Sequence, residues 1–166
     1  MPIRLLRPDD AAVYVALRRE ALLDAPLAFL SSPEDDVAGS LEAARRQLRP
    51  SPHAAVFGAF DPALIGMLGL YRDRHRKAAH KVHAWGMYVT PAHRRHAVGA
   101  ALLDAVVAHA RAMPGVAWLH LSVSDAAPAA ARLYERAGFQ RWGTELDALR
   151  YDDQVVSEHH LALRLE

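Results

Sequence analysis

The stretch of sequence that decides the fold is residues 88–102, which read YVTPAHRRHAVGAAL. It joins the end of an apolar strand to the start of an amphipathic helix, because Pro91 stops the strand and Val98 and Leu102 recur at helical spacing. Between them lies a turn of small and basic residues. The helix therefore begins within a turn that carries Arg94 and Arg95.

This turn is a candidate anion-binding site. A helix N-terminus presents unbonded N–H groups and the positive end of the helix dipole, and residues 93–96 add positive charge there. Basic side chains in a first turn oppose the dipole, which favours a bound anion, although an ordinary solvated helix start stays open as the alternative. A Walker loop and a dinucleotide-binding fingerprint are both excluded, because their glycine patterns are missing.

The rest of the chain predicts a regular succession of strands and helices. The predicted strands are residues 3–7, 54–60, 64–71, 82–89, 117–123, 139–149 and 155–165. The predicted helices are residues 10–24, a second from a Ser32 N-cap to about Leu48, one from Val98 to the Pro114-Gly115 pair, and residues 127–136. The order β-α-α-β-β-β-α-β-α-β-β predicts one mixed α/β domain over residues 1–166.

Composition excludes several classes of protein. The 166 residues carry a formal net charge of +1, with ten His and no Cys. The lack of cysteine excludes disulfide scaffolds, thiol nucleophiles and thiolate metal sites. A charge near zero disfavours a general electrostatic grip on nucleic acid or on an anionic membrane. No apolar run reaches the roughly 18 residues of a membrane span, and Met1 leads into alternating sequence rather than a signal peptide, so we expect a cytoplasmic protein.

The turn resembles the acyl-CoA pyrophosphate loop of the GNAT superfamily of N-acetyltransferases. The superfamily pattern is Val-x-Pro, followed by Arg or Gln-x-x-Gly-x-Gly or Ala. Val89, Pro91, Arg94 and Gly99 match this pattern, and Ala97 replaces the first glycine.

A second block strengthens the resemblance. Residues 121–139 read LSVSDAAPAAARLYERAGF, which is similar to the strand–helix block of the superfamily that ends in Leu-Tyr-x-x-x-Gly-Phe. Residues 85–89, WGMYV, are similar to the strand that precedes the loop in many members. One departure is Ala127, which stands where members usually have an Asn that bonds the pantetheine arm.

The resemblance implies a GNAT-like fold, with a mixed, mostly antiparallel sheet that is splayed at the site for acetyl-CoA. It places pantetheine against backbone groups of β-strand residues and the pyrophosphate on backbone N–H groups of the turn, near two arginine side chains. The implied acetyl-CoA-binding residues are Met87, Val89, Arg94, Arg95, Ala97, Val98, Gly99, Ala100 and Tyr134.

The resemblance also implies direct transfer of the acetyl group to an amine. Tyr134 is the implied acid for the departing thiolate, and the Met87 N–H the implied donor to the oxyanion. His83 is the candidate base, since it stands where related members carry Glu, six residues before the loop valine. His120 is a second candidate, and a water chain would leave no base to name.

Two other readings stay open beside the enzyme. A non-catalytic acyl-CoA-binding sensor would keep the loop, whereas a dimeric interaction protein would keep the fold alone. The enzyme itself is also a candidate homodimer. His75, His80 and His83 match no standard pattern of metal ligands, so we expect no metal. The acceptor, an amine of a small molecule or of a protein, cannot be identified from the residues.

Overall fold

The structure, a computed structural model, describes residues 1–165. Its strands are β1 (Ile3–Leu5), β2 (Ala54–Phe60), β3 (Leu64–Arg72), β4 (Lys81–Val89), β5 (Trp118–Ser124), β6 (Gln140–Tyr151) and β7 (Gln154–Arg164). Its α-helices are α1 (Ala11–Asp24), α2 (Leu41–Gln47), α3 (Val98–Ala112) and α4 (Pro128–Arg136). The predicted order of elements is confirmed.

The seven strands form one sheet in the order β1-β2-β3-β4-β5-β7-β6. Neighbouring strands are antiparallel except β4 and β5, which are parallel. The chain between these two strands contains α3, because a parallel pair needs a long crossover connection. The sheet is therefore mixed and mostly antiparallel, as predicted.

The sheet separates two apolar clusters. On one face Leu102 and Val106 of α3 pack with buried strand residues such as Leu119. On the other face Tyr14 and Leu17 of α1 belong to a second buried cluster. Within residues 1–165, none of the helices is long and apolar enough to cross a membrane.

Strands β4 and β5 run together only at their N-terminal ends. Residues 81–83 pair with residues 118–120, and the two strands separate beyond this point. In the same region β4 bulges, because Gly86 and Met87 lie opposite the single residue Leu68 of β3. Gly86 has a φ of +69°, which an L side chain would adopt only with strain. The predicted splay of the sheet is thus present, and the bulge lies at its opening.

The prediction for the second helix, from a Ser32 N-cap to about Leu48, is wrong. Helix α2 begins at Leu41 and has Ser40 as its N-cap, whose Oγ accepts a hydrogen bond from the Ala43 N–H at 3.2 Å. The residues before it form turns rather than a helix.

A buried ion pair explains this difference. Nε and Nη2 of Arg18 donate to the Asp36 carboxylate at 2.8 and 2.6 Å, and the two side chains are only 7% and 4% exposed. Asp35 closes a single local turn instead, because its Oδ1 accepts from the Ser32 N–H at 2.7 Å. The local signal for a helix start at Ser32 is therefore overridden by a contact with α1.

Helix α3 begins at a left-handed residue. Its N-cap is Ala97, which has a φ of +60° and no side-chain cap. Alanine is strained in this region by about 1–2 kcal/mol, whereas glycine is not.

We expect Ala97→Gly to raise the free energy of unfolding by about 0.5–1 kcal/mol, because relief of the left-handed strain exceeds the entropic cost of glycine. Ala100→Gly is the matched control. It makes the same chemical change inside the first turn of α3, and it should lower the free energy of unfolding by about 1 kcal/mol. Urea denaturation of the three proteins measures both effects, and a destabilised Ala97→Gly variant would contradict the assigned strain.

Candidate active site

The turn between β4 and α3 presents a helix start without a cap. The N-cap Ala97 has no side-chain acceptor, so the N–H groups of Val98, Gly99 and Ala100 lack partners from the preceding turn. This is the helix start that the sequence predicts within the basic turn. Such N–H groups bind phosphate oxygens well.

The two arginines of this turn have different surroundings. Nε of Arg94 donates to the Val89 carbonyl at 2.9 Å, and its Nη2 forms an ion pair with Asp24 at the end of α1. Arg95 is exposed and has no hydrogen-bond or ion-pair partner among residues 1–165. Arg94 therefore ties the turn to β4 and α1, whereas Arg95 leaves its guanidinium open to a ligand.

Gly99 faces protein rather than open space. A Cβ at this position would lie 3.2 Å from Cδ2 of Leu133 and 4.0 Å from both Sδ of Met87 and Cγ2 of Val89. The small residue therefore lets the first turn of α3 approach α4 and β4 closely. Val98 beside it is buried in the core.

Tyr134 lies on α4 and is 5% exposed. Its ring packs 5.8 Å from that of Phe139. No residue in the described part of the chain, 1–165, accepts or donates a hydrogen bond to its hydroxyl. Burial raises the pKa of this hydroxyl well above its usual value, so it is protonated at neutral pH. Tyr134 is thus a hydrogen-bond donor without a protein partner.

A cleft of about 660 Å³ lies where β4 and β5 separate. It is on the side of the sheet that α1 covers, and Phe29 and Leu30 from the segment after α1 form part of its wall. Its titratable and charged side chains are those of Arg18, Tyr71, His83, His120, Glu158 and His160. Tyr134 lies in the cluster on the other face, so the cleft and the tyrosine approach the gap from opposite sides.

Five aromatic rings from β3 to β7 form a row along the cleft, which we call the ring row. The rings are those of Tyr71, His83, His120, Trp142 and His160. Successive centroids lie 4.9, 5.6, 6.2 and 5.2 Å apart. The site therefore offers a continuous aromatic surface.

His83 is held in one orientation. Its Nε2 lies 2.8 Å from Oδ2 of Asp73. Because a carboxylate only accepts, Nε2 carries the proton and Nδ1 is left as an acceptor. The same hydrogen bond holds the pKa of Asp73 below its usual value.

His120 lies opposite His83 in the last pair of β4 and β5. Within residues 1–165 it has no hydrogen-bond partner. Burial, followed by electrostatic interactions with His83 and Lys81, lowers the pKa of His120, so it is neutral at pH 7. The structure thus brings both candidate bases together. No group of three or more His, Asp or Glu side chains among residues 1–165 could hold a metal ion.

The cleft residues that the sequence predictions missed include Arg18, Trp142 and Glu158. Arg18 stands beside Leu17 on the buried face of α1, and a cation among apolar positions is a signal that could have found it. Glu158 alternates with His160 on the cleft side of β7, whereas Leu161 and Leu163, whose alternation indicates the strand, lie on its other face. Trp142 lies at a bulge of β6, which no local pattern predicts.

Comparison with known proteins gives a family and a set of related folds. The acetyltransferase (GNAT) family pattern matches residues 14–139. An acetyltransferase of the GNAT family from Streptococcus pneumoniae is 19% identical, with a TM-score of 0.84 over 99% of each chain. The yncA structure from Salmonella typhimurium, solved with its cofactor acetyl-CoA, is 20% identical, with a TM-score of 0.81 over 100% of this chain and 94% of that one.

A third structure, Arabidopsis thaliana NAA60 in complex with a bisubstrate analogue, is 14% identical, with a TM-score of 0.76 over 99% of each chain. No curated protein matches the chain. The family pattern includes β4, the basic turn, the uncapped start of α3 and the Tyr134 helix. The chain therefore belongs to the GNAT family of acetyltransferases.

Proposed function

We propose that this protein transfers the acetyl group of acetyl-CoA to the nitrogen of an amine. The observation that carries the proposal is the uncapped start of α3, which directly follows the strand that parts from β5. A phosphate-binding helix start beside a gap in a sheet suits a ligand with an anionic end and an extended arm. The yncA protein, whose fold is similar, holds acetyl-CoA as its cofactor.

In the proposed complex the pyrophosphate lies on the N–H groups of residues 97–100, and Arg95 adds positive charge. The pantetheine arm follows β4 and bonds backbone groups of Met87 and Val89. Because Arg94 already donates to the Val89 carbonyl, we assign Arg94 to holding the turn in place. Ala127 supplies no polar side chain to the pantetheine arm, so backbone groups form the hydrogen bonds to the arm.

The reaction is a direct transfer. The neutral amine nitrogen attacks the thioester carbonyl carbon, so a C–N bond forms while the carbonyl electron pair moves to oxygen. The intermediate then collapses, the C–S bond breaks and its electron pair leaves on sulfur, while the nitrogen releases its second proton to solvent and becomes the amide nitrogen. The Met87 N–H is the proposed donor to the oxyanion. Without any Cys, the chain has no thiol to form a cysteinyl intermediate.

Tyr134 is the proposed donor to the departing sulfur. Its hydroxyl is protonated and unpartnered, and it lies on the α4 side of the gap. The amine would enter through the cleft on the α1 side. Acid and acceptor then meet the thioester from opposite faces of the sheet.

His83 is the proposed base. An alkylammonium has a pKa of about 10 and must lose a proton before it can attack. Asp73 fixes the tautomer of His83 so that Nδ1 is free to accept this proton, directly or through water. The unpartnered Tyr134 and this oriented histidine favour an enzyme over a sensor. A homodimer and a cytoplasmic location stay predictions.

Binding of the donor is tested by thermal unfolding with acetyl-CoA and with CoA. A ligand at 100 times its dissociation constant should stabilise the protein by about 2.7 kcal/mol. Release of CoA in the presence of a panel of amines then measures transfer. An unchanged melting temperature at millimolar acetyl-CoA would contradict the proposed function.

We expect Tyr134→Phe to lower kcat by about 10²-fold, the low end of the range for acid catalysis, because the sulfur loses its proton donor. Affinity for acetyl-CoA should change much less, since the phenyl ring keeps the packing against Phe139. Tyr151→Phe is the matched control, because Tyr151 is exposed at the end of β6. Steady-state kinetics with binding by calorimetry measures the two effects, and an unchanged kcat in Tyr134→Phe would refute the acid role.

We expect the pH–rate profile of kcat to rise with pH, because a histidine base acts only when it is neutral. In His83→Gln this acidic limb should flatten. His120→Gln should retain it, because His120 is the neighbour rather than the base in this scheme. The reverse result would assign the base to His120, and its lowered pKa would then put the limb below pH 6.5. A limb that persists in both variants would exclude both residues.

A further inference from the structure

Glu158 is a carboxylate without a partner. It lines the cleft, is partly buried, and makes no hydrogen bond or ion pair with any of residues 1–165. It stands directly opposite Glu145 in the pairing of β6 and β7. Like charges directly opposite each other destabilise a sheet. Nothing in the packing of the protein itself explains this arrangement.

The neighbouring basic side chains do not neutralise Glu158. Both ring nitrogens of His160 have other partners. Nε2 of His160 lies 3.6 Å from Oε2 of Glu145, and Nδ1 of His160 lies 2.8 Å from Oγ of Ser122. Arg18 is held by Asp36. Burial, followed by the charge of Glu145, raises the pKa of Glu158 against a smaller opposing effect of His160. A cationic ligand would satisfy this carboxylate.

Glu158 also lies beside the gap. It pairs with Ser124 at the C-terminal end of β5, four residues beyond His120, the last residue that pairs with β4. This part of β5 borders the opening in which the thioester is proposed to lie. An ammonium bound here would be close to the path of transfer.

The rest of the cleft is suited to an apolar body. The exposed side chains of Leu30, Val37 and Trp142 stand at its rim, and they are 86%, 75% and 63% exposed. The ring row continues from Trp142 across the cleft. Large apolar side chains gathered at one cleft mark a binding surface, and aromatic faces also attract cations.

The charged residues that line the cleft limit which further charged groups the acceptor can carry. Glu158 is the single carboxylate among the cleft-lining residues, and the neighbouring Glu145 carboxylate lies 3.6 Å from Nε2 of His160, so the cleft favours one cationic nitrogen over several. Arg18 is the single permanent cation among them, and Asp36 already occupies two of its nitrogens. A carboxylate on the acceptor would therefore meet Glu158, while the one permanent cation of the cleft is already paired with Asp36.

We propose, building on the acetyl transfer proposed above, that the acceptor is a primary amine with one cationic nitrogen, an aromatic body and no carboxylate. Glu158 binds its ammonium group, and the body lies on the ring row and the rim formed by Leu30, Val37 and Trp142.

Four probe amines test this class by calorimetric titration into the protein saturated with CoA, which permits no turnover. They are 2-phenylethylamine, propylamine, phenylalanine and spermidine. The first should bind at least about tenfold tighter than the others, which lack the ring, add a carboxylate or add further charges. Tighter binding of phenylalanine or spermidine would overturn the proposed class.

The Glu158→Gln variant tests whether Glu158 binds the ammonium group of the acceptor. It should weaken binding of 2-phenylethylamine about tenfold, and with acetyl-CoA it should raise KM while kcat changes little. Glu145→Gln is the matched control, because Glu145 lies opposite on the ladder but does not line the cleft. Its effect should be much smaller. Unchanged affinity in Glu158→Gln would overturn the assignment.

Thermal unfolding gives an independent readout on the same variant. A carboxylate whose pKa is raised by folding costs stability once pH rises through that pKa. Glu158→Gln should therefore melt above the wild type at pH 8, and the difference should shrink as the pH falls and protonation removes the charge of Glu158. Equal melting temperatures of Glu158→Gln and the wild type at pH 8 would contradict the claim that the Glu158 carboxylate destabilises the protein, on which the proposal rests.

The two proposals fail in different ways. A protein that binds 2-phenylethylamine through Glu158 but acetylates no amine would contradict the transfer reaction and support the amine site. A protein that acetylates spermidine or an amino acid in preference would support the reaction and overturn the acceptor class.

Discussion

The separation of β4 from β5 is the constraint on which the rest of the site depends. The strands pair at residues 81–83 and part where β4 bulges at Gly86 and Met87. The bulge leaves backbone groups of β4 without a partner on β5 and creates a gap through the sheet. The cleft opens on one face of this gap, and Tyr134 approaches from the other. A continuous sheet would bury the same backbone in a hydrogen-bonded ladder and would leave no room for a ligand.

Several groups around this gap lack the hydrogen-bond partners or the unstrained backbone that a protein interior normally provides. The first N–H groups of α3 have no cap, and Ala97 is left-handed. The Tyr134 hydroxyl and the Glu158 carboxylate have no hydrogen-bond partner among residues 1–165. Each departure costs stability on its own. Their concentration at one place is typical of a site arranged for a ligand rather than for folding.

The strands and the longer helices could be predicted from sequence because their apolar periodicity reports directly on burial. Residues 54–60 and the start of α3 at Val98 are examples. The second helix could not, because the decisive contact joins Asp36 to Arg18, eighteen positions away. The turn before α3 could be recognised in the sequence because its residues are contiguous, whereas the cleft could not. It assembles Arg18, Trp142 and Glu158 from distant elements, and no local pattern records their proximity.

The cleft combines two kinds of architecture. The ring row lies on adjoining strands whose positions are set by the hydrogen-bonded sheet. Much of the facing wall comes from residues 25–40, a segment of turns and one short 3-10 helix that Asp36 anchors to α1. Insertions or substitutions in that segment can reshape the cleft without disturbing the register of any strand or the turn before α3. In evolutionary terms, selection can change the acceptor while it preserves the donor site, and one scaffold can diversify by altering a wall alone.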